Sequence, residues 1–190
     1  MRSFLAVAVC EPALGPAVDL LDELAAAIPR RDCRWAPPGG LHLTLHFFGE
    51  LAEERVGEVL ALVSPAAAAA APFALTLGGL GSFPPRGEPR VLWLGAGAGR
   101  EPLTALAADC RRRLGAAGFE VEERRFSPHC TLGRPRPGWS AAARSAWASA
   151  VASGVELPSF EVDRLSLYRS DRHPSGAEYS VVAEVPLGTG

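Results

Sequence analysis

Leu41-His42-Leu43-Thr44-Leu45-His46-Phe47-Phe48-Gly49-Glu50 and Ser127-Pro128-His129-Cys130-Thr131-Leu132-Gly133-Arg134 share one pattern, His-x-Thr-Leu, once in each half of the chain. A strand sends residues i and i+2 to the same face. His42 therefore projects with Thr44, and His129 with Thr131. Leu43, Leu45, Cys130 and Leu132 point the other way, into a core. Two such strands side by side present two imidazoles and two hydroxyls to one groove. His46, four residues beyond His42, falls on the same face by this alternation, where it can touch phosphate or ribose at the groove rim or simply face solvent. Arg134 falls on the face opposite His129.

The chain around these strands alternates strands and amphipathic helices. Arg2 to Cys10 is an apolar, β-prone run. A helix runs from Pro16 to about Ile28, with Val18, Leu21, Leu24, Ala25 and Ile28 at helical spacing. Cys33–Trp35 is a short strand, and Pro37 to Gly40 is a turn. A second helix spans Glu53 to about Val63 and stops at Pro65; the alanines at 66–71 are a helix tail or a loop. Strands follow at 73–80 and 90–94, with the Gly/Pro-rich loop 81–89 between them. A third helix starts at Glu101-Pro102 and ends at Gly115 or Gly118. Residues 119–122 are a short extended piece. Ser140 caps a fourth helix with Ala143, Ala146, Trp147 and Val151 inward. Strands at 160–168 and 179–185 close the chain, joined by a loop at 173–176. Strands with long loops and helices of this kind define an α+β class.

Composition excludes several functions. With 48% hydrophobic and 21% charged residues, the 190-residue chain is ordinary for a globular protein of one domain. Its net charge of −2 provides no global field for long nucleic acid. All 19 cations are Arg, with no Lys. Cys10, Cys33, Cys110 and Cys130 form no C-x-x-C pair, so neither a disulfide framework nor a Cys-rich zinc site is expected. No apolar run is long enough to cross a bilayer, and the N-terminus reads as a strand and not a signal peptide, so the cytoplasm is the expected compartment.

The paired motifs and their flanks resemble the two-histidine (2H) phosphoesterases, and within them the RNA 2′,3′-cyclic phosphodiesterase (LigT/ThpR-like) family. Arg2-Ser3-Phe4-Leu5-Ala6-Val7 and Leu165-Ser166-Leu167-Tyr168-Arg169-Ser170 fit that family too. The resemblance implies one bilobal, pseudo-two-fold α+β domain over 1–190, with antiparallel strands lining a central groove and helices outside. It also implies a substrate, RNA with a 2′,3′-cyclic phosphate end (tRNA fragments among the candidates), a 2′-phosphate product, and 2′-5′ RNA ligation as the reverse reaction. A monomer is expected.

The residues support that chemistry independently. Unperturbed imidazole titrates near 6.5, so near neutral pH one histidine can accept a proton while the other gives one. Opening a cyclic phosphate needs both, on opposite sides of phosphorus. Thr44 and Thr131 can hold the non-bridging oxygens. Arg134, at the position Phe47 holds in the first motif, joins Arg124, Arg125 and Arg136 as a local site for phosphate or as solvated charges. Phe48, Trp35 and Tyr168 are candidates for stacking on a base, or core residues. Which histidine is acid stays open, with the arginines beside the second motif favouring His129 as base. No metal or cofactor is called for: zinc on His42, His46 and His129 lacks a carboxylate or Cys at the expected spacing. The Gly95–Gly99 run lacks a full G-x-G-x-x-G and a P-loop Lys, and reads as a loop. Two other functions remain open: a cyclic phosphodiesterase on a small nucleotide such as ADP-ribose cyclic phosphate, and a non-catalytic RNA-end binding module.

Overall fold

The computed structural model describes residues 1–173 and 176–188. In chain order the elements are β1 (Arg2–Ala8), α1 (Leu14–Ala27), β2 (Cys33–Trp35), β3 (His42–Glu50), α2 (Val56–Ala69), β4 (Phe73–Leu75), β5 (Leu77–Phe83), β6 (Val91–Ala96), α3 (Arg100–Ala116), β7 (His129–Pro135), α4 (Ala141–Ser153), β8 (Phe160–Val162), β9 (Arg164–His173) and β10 (Gly176–Pro186). Eight strands form one antiparallel sheet in the order β10-β9-β1-β3-β7-β6-β5, with β2 also paired to β7. β4 and β8 make a separate two-stranded ribbon. This is the expected α+β class.

The sheet is pinched at its middle. β3 and β7, the two motif strands, pair only through Leu43 and Cys130. Farther along the same edge of β7, β2 takes over, with Arg34 opposite Arg134 and Trp35 opposite Gly133. The pinch divides the sheet into two lobes, one of β10, β9, β1 and β3, the other of β7, β6, β5 and β2. The lobes are not the two halves of the chain. The C-terminal hairpin β9–β10 pairs with the N-terminal β1, and the early strand β2 pairs with the late β7. Helix-period and strand-period patterns specify elements but not partners, so this exchange is invisible in the sequence.

One sheet face is packed. Leu5, Leu43, Leu45, Leu92, Leu94, Leu132 and Leu165 are all fully buried with the inner faces of the helices. Each such side chain contributes about 1.5–3 kcal/mol on burial. Alternation is therefore enforced along both motif strands, because a one-residue slip would put these leucines in water.

Several expected boundaries shift. Pro65 does not stop the second helix, which runs on to Ala69 with Pro65 inside it. Ala66 and Ala67 are buried there, and an alanine tail has high helix propensity, which offsets the hydrogen bond that proline removes. The strand expected at 73–80 is two strands: β4 turns away at Thr76 to pair with β8. β5 then continues through Phe83, three residues into the expected loop. Residues 119–122 pair with no strand. Gly95 belongs to β6, and the Gly-rich loop proper is 97–99. At Gly99, φ is +83° and a Cβ would collide with the Ala74 carbonyl, so only glycine fits. Ser140 does cap α4, its Oγ accepting from the Ala143 N–H at 3.1 Å. Val151, expected inward, is 41% exposed; Ala143 and Trp147 are buried on the inner face, with Ala146 partly buried against the core beside them. Of the expected 173–176 loop, His173 ends β9 and Gly176 begins β10, while Pro174 and Ser175 lie outside the described residues.

Candidate active site

The seam between β3 and β7 brings the motifs together. Leu43 faces Cys130 across an antiparallel pair, so His42 lies alongside Thr131 and Thr44 alongside His129. All four project to the face of the sheet that the helices leave open, and all four are half-buried. The arrangement has an approximate two-fold axis between Leu43 and Cys130.

The two imidazoles are held alike. His42 Nδ1 lies 2.6 Å from the Gly40 carbonyl, and His129 Nδ1 lies 2.7 Å from the Ser127 carbonyl. A carbonyl only accepts, so each Nδ1 carries the proton and donates it. That leaves each Nε2 free, an acceptor when the ring is neutral and a donor when it is protonated. The surroundings differ. His42 stacks on Phe4 at 4.6 Å and meets the Tyr179 ring edge-on at 5.1 Å, with Tyr168 beyond at 5.9 Å. His129 meets Phe83 edge-on at 5.0 Å, with Trp93 at 6.4 Å. Burial lowers the pKa of both below the usual histidine value. Carbonyl hydrogen bonds oppose that shift, while the charge of His129 lowers His42 further and Arg134 lowers His129 further.

Both motif strands carry a bulge at the same place. Opposite β3, Ala6 pairs with Thr44 and Leu5 with His46, which skips Leu45. Opposite β7, Trp93 pairs with Thr131 and Leu92 with Gly133, which skips Leu132. One extra residue reverses the alternation beyond it. This corrects two placements. His46 turns away from the His42 face: it is 2% exposed, edge-on to Phe48 at 4.5 Å, and its Nε2 has no hydrogen-bond partner. Burial and the nearby Arg111 push His46 down to about 4, so it is neutral. Arg134 turns toward the His129 face and into the groove, exposed to solvent. The same bulge in β3 brings Phe47 to the His42 face.

A groove of about 1430 Å³ opens where β3 and the chain before β7 splay apart, walled by Thr44, His129, Phe83, Phe126, Arg111 and Arg134 among others. His42 and Thr131 do not line it. Arg124 and Arg125 line it, whereas Arg136 donates to the Arg30 carbonyl at 3.2 Å, away from it. Arg111, which no sequence pattern singles out, reaches in from α3, its Nε donating to the Leu45 carbonyl at 2.8 Å. Phe48 packs against Phe119 at 5.7 Å at the groove edge. Trp35 donates its Nε1–H to the Ile28 carbonyl at 3.0 Å and packs on the core.

Among the described residues no three His, Cys, Asp or Glu side chains converge as a metal site. The bulge in β3 separates His46 from His42 and His129, which dissolves the zinc triad weighed from the sequence. Among the described residues no helix is long and apolar enough to cross a membrane.

A pinched antiparallel sheet bearing two His-x-Thr pairs on its open face defines a two-histidine phosphoesterase class. The chain belongs to the 2′-5′ RNA ligase superfamily, whose family model it matches over residues 13–174. It is 30% identical to the RNA 2′,3′-cyclic phosphodiesterase of Thermotoga maritima over 97% of its own length and 94% of that protein's. It is 34% identical to the Thermus thermophilus protein of the same name, covering 98% of this chain and 90% of that one. The crystal structure of TT0787 of Thermus thermophilus superposes with a TM-score of 0.78 at 31% identity, covering 100% and 99% of the two chains. Escherichia coli LigT complexed with 3′-AMP shares the fold, with a TM-score of 0.75 at 24% identity over 98% and 97%.

Proposed function

We propose that this chain hydrolyses RNA 2′,3′-cyclic phosphate ends to 2′-phosphate ends, with His42 and His129 as a general acid–base pair and without a metal. The observation that carries the reading is the matched anchoring of the two imidazoles: each Nδ1–H is tied to a carbonyl two residues upstream, at 2.6 and 2.7 Å, and each Nε2 is left for chemistry. One neutral Nε2 takes a proton from water as the water oxygen bonds to phosphorus. The P–O3′ bond breaks, and O3′ takes the proton from the other, protonated Nε2. The product is a 2′-phosphate and a 3′-hydroxyl. Thr44 and Thr131 donate to the non-bridging oxygens, and Arg134 offsets the charge gathering on them.

Electrostatics favour His129 as base. Arg134 disfavours an imidazolium there, whereas the Phe4 face beneath His42 and the tyrosines beside it favour a cation. Substrate binding completes the acid: an anionic phosphate raises the pKa that burial lowers. Phe48, at the groove edge, takes the outer part of the substrate, and the reverse reaction, 2′-5′ ligation, uses the same two protons.

The test is turnover of an oligoribonucleotide ending in a 2′,3′-cyclic phosphate, run in EDTA beside a cyclic mononucleotide and ADP-ribose cyclic phosphate. The oligonucleotide is opened fastest and yields a 2′-phosphate end. A 3′-phosphate product would reassign the leaving oxygen, preference for ADP-ribose cyclic phosphate would change the substrate, and binding without turnover would leave an RNA-end binding module.

A further inference from the structure

We propose that Arg111 forms a second phosphate subsite in the groove, which takes the phosphodiester on the 5′ side of the terminal nucleoside of the RNA end. The inference rests on the function proposed above and names the residue that favours an RNA chain over a single nucleotide. Arg111, Arg112 and Arg113 are consecutive on α3, and successive residues of a helix point about 100° apart. Arg112 and Arg113 both pair with Asp109, the second at 3.1 Å. Arg111 turns to the sheet instead. It is half-buried, and among the described residues no carboxylate lies within ion-pair distance of it. Glu122, whose charge acts on it through space, is engaged by Arg124, which donates its backbone N–H at 3.3 Å and brings its Nε to 3.9 Å. The other arginines of the groove, Arg90, Arg124, Arg125 and Arg134, are exposed. A guanidinium keeps its proton, and one drawn out of water without a counterion is held at a cost that an incoming anion relieves.

Two contacts fix this guanidinium before any ligand arrives. Its Nε donates to the Leu45 carbonyl at 2.8 Å, and its central carbon stands 4.9 Å from the Phe126 ring centroid. Leu45 is the residue that the bulge skips on the β1 side, and toward β7 the strand pairs only at Leu43, so Arg111 docks on an open stretch of strand edge. Its two terminal nitrogens meet no protein acceptor among the described residues, are not sealed from solvent, and border the groove. Together they form a rigid two-pronged donor of the kind that matches a phosphate. Arg111 comes from the helix side of the sheet, through the gap where β3 and β7 part, whereas the imidazoles and hydroxyls stand on the open side. The anion it holds is therefore a second one, not the cyclic phosphate between the histidines. Along an RNA chain the next anion is the phosphodiester on the 5′ oxygen of the terminal ribose, which a nucleoside cyclic phosphate lacks. At about 1430 Å³ the groove exceeds the roughly 300–1,000 Å³ of a small-molecule pocket and has room for that extension.

The test is calorimetric titration of wild type, Arg111→Lys and Arg111→Met with two product-like ligands. One is adenylyl-(3′→5′)-adenosine 2′-phosphate; the other is the same dinucleotide with an uncharged methylphosphonate in place of its internal phosphodiester. Wild type is expected to bind the charged dinucleotide about tenfold or more tightly than the neutral one. Arg111→Met is expected to bind the two alike, and Arg111→Lys, which keeps the charge and loses the fork, to show an intermediate ratio. For the charged dinucleotide, the slope of log Kd against log salt concentration is expected to be shallower by about 0.7 in Arg111→Met, the share of one phosphate contact on a single strand. A role confined to bracing the Leu45 carbonyl would weaken both ligands equally and leave the ratio untouched, which overturns the proposal. Equal binding of the two ligands by wild type overturns it without recourse to any variant. The titration needs no turnover, so it is separable from the reaction: hydrolysis of adenosine 2′,3′-cyclic phosphate by a wild type that does not distinguish the two dinucleotides removes the subsite alone. Binding of neither dinucleotide removes the subsite together with the function it rests on.

Discussion

At the scale of residues, His42 and His129 have the same geometry and different neighbours, and the difference has measurable consequences. In the proposed mechanism, replacing either by Ala removes one proton-transfer role, so kcat is expected to fall by more than about 100-fold while the protein stays folded, checked by steady-state turnover alongside circular dichroism. Thr44→Ala and Thr131→Ala cost less, because water replaces a neutral donor; losses equal to those of the histidines would mean that the hydroxyls do more than hold oxygens. The pH at which the enzyme works best also follows. Burial places both imidazoles below the ordinary value near 6.5 in the free enzyme. The acid must bind a proton that the buried ring resists, so the population with one protonated and one neutral imidazole is greatest on the acid side of about 6.5. kcat/KM, which reports the free enzyme, therefore has its optimum there. An optimum well above neutrality would show that the groove of the free protein holds its histidines differently.

At the scale of elements, the two bulges explain what alternation could not. Period-two reading of His42 to Leu45 and of His129 to Leu132 is right, because the buried leucines enforce it. It fails beyond the bulge on both strands, at His46 and at Arg134, where an extra residue has reversed the faces. Two signals were present: the adjacent Phe47-Phe48 breaks an apolar–polar alternation, and Gly133 in a strand marks a bulge or a close backbone approach. Gly133 has the second role as well, since a Cβ there would lie 2.8 Å from Cys33 Sγ and from Trp35 Cε3. Gly133→Ala is expected to cost about 1–3 kcal/mol by denaturant unfolding. The reversal also makes His46 a stability element. Its folded pKa of about 4 lies below its unfolded value near 6.5. Above about 6.5 neither state is protonated at His46. As pH falls toward 4 the unfolded chain takes up a proton that the folded chain refuses, and His46 costs about 3 kcal/mol by pH 4. His46→Phe, which also replaces an unpartnered buried nitrogen with carbon, is expected to lose less stability than wild type between about pH 6.5 and 4. Parallel stability curves for the two proteins would contradict the assignment.

At the scale of the whole molecule, the site exists because two lobes meet at a single strand pair. The motif residues and the strand–helix order were legible in the sequence, because they are written in local periodicity and in two short matching stretches. The exchange of β2 and of β9–β10 between lobes was not, since pairing between distant parts of the chain depends on packing that no local pattern records. Arg111 was missed for the same reason: on α3 it reads as one of three consecutive arginines, and only the tertiary fold points it at the groove. Charge neutralisation in the proposed mechanism is carried by imidazolium, hydroxyls and Arg134, so activity is expected to survive EDTA. Full loss restored by one divalent ion would move the reaction to metal-assisted hydrolysis. The central claim is that one histidine from each lobe forms a single acid–base pair, and the pH dependence of kcat/KM tests it most directly. Wild type is expected to give a bell whose two limbs belong to the coupled pair. The residual activity of His129→Ala is expected to lose the limb of the base and keep that of the acid, and that of His42→Ala the reverse. If both variants keep both limbs, His42 and His129 are not the groups that exchange the protons.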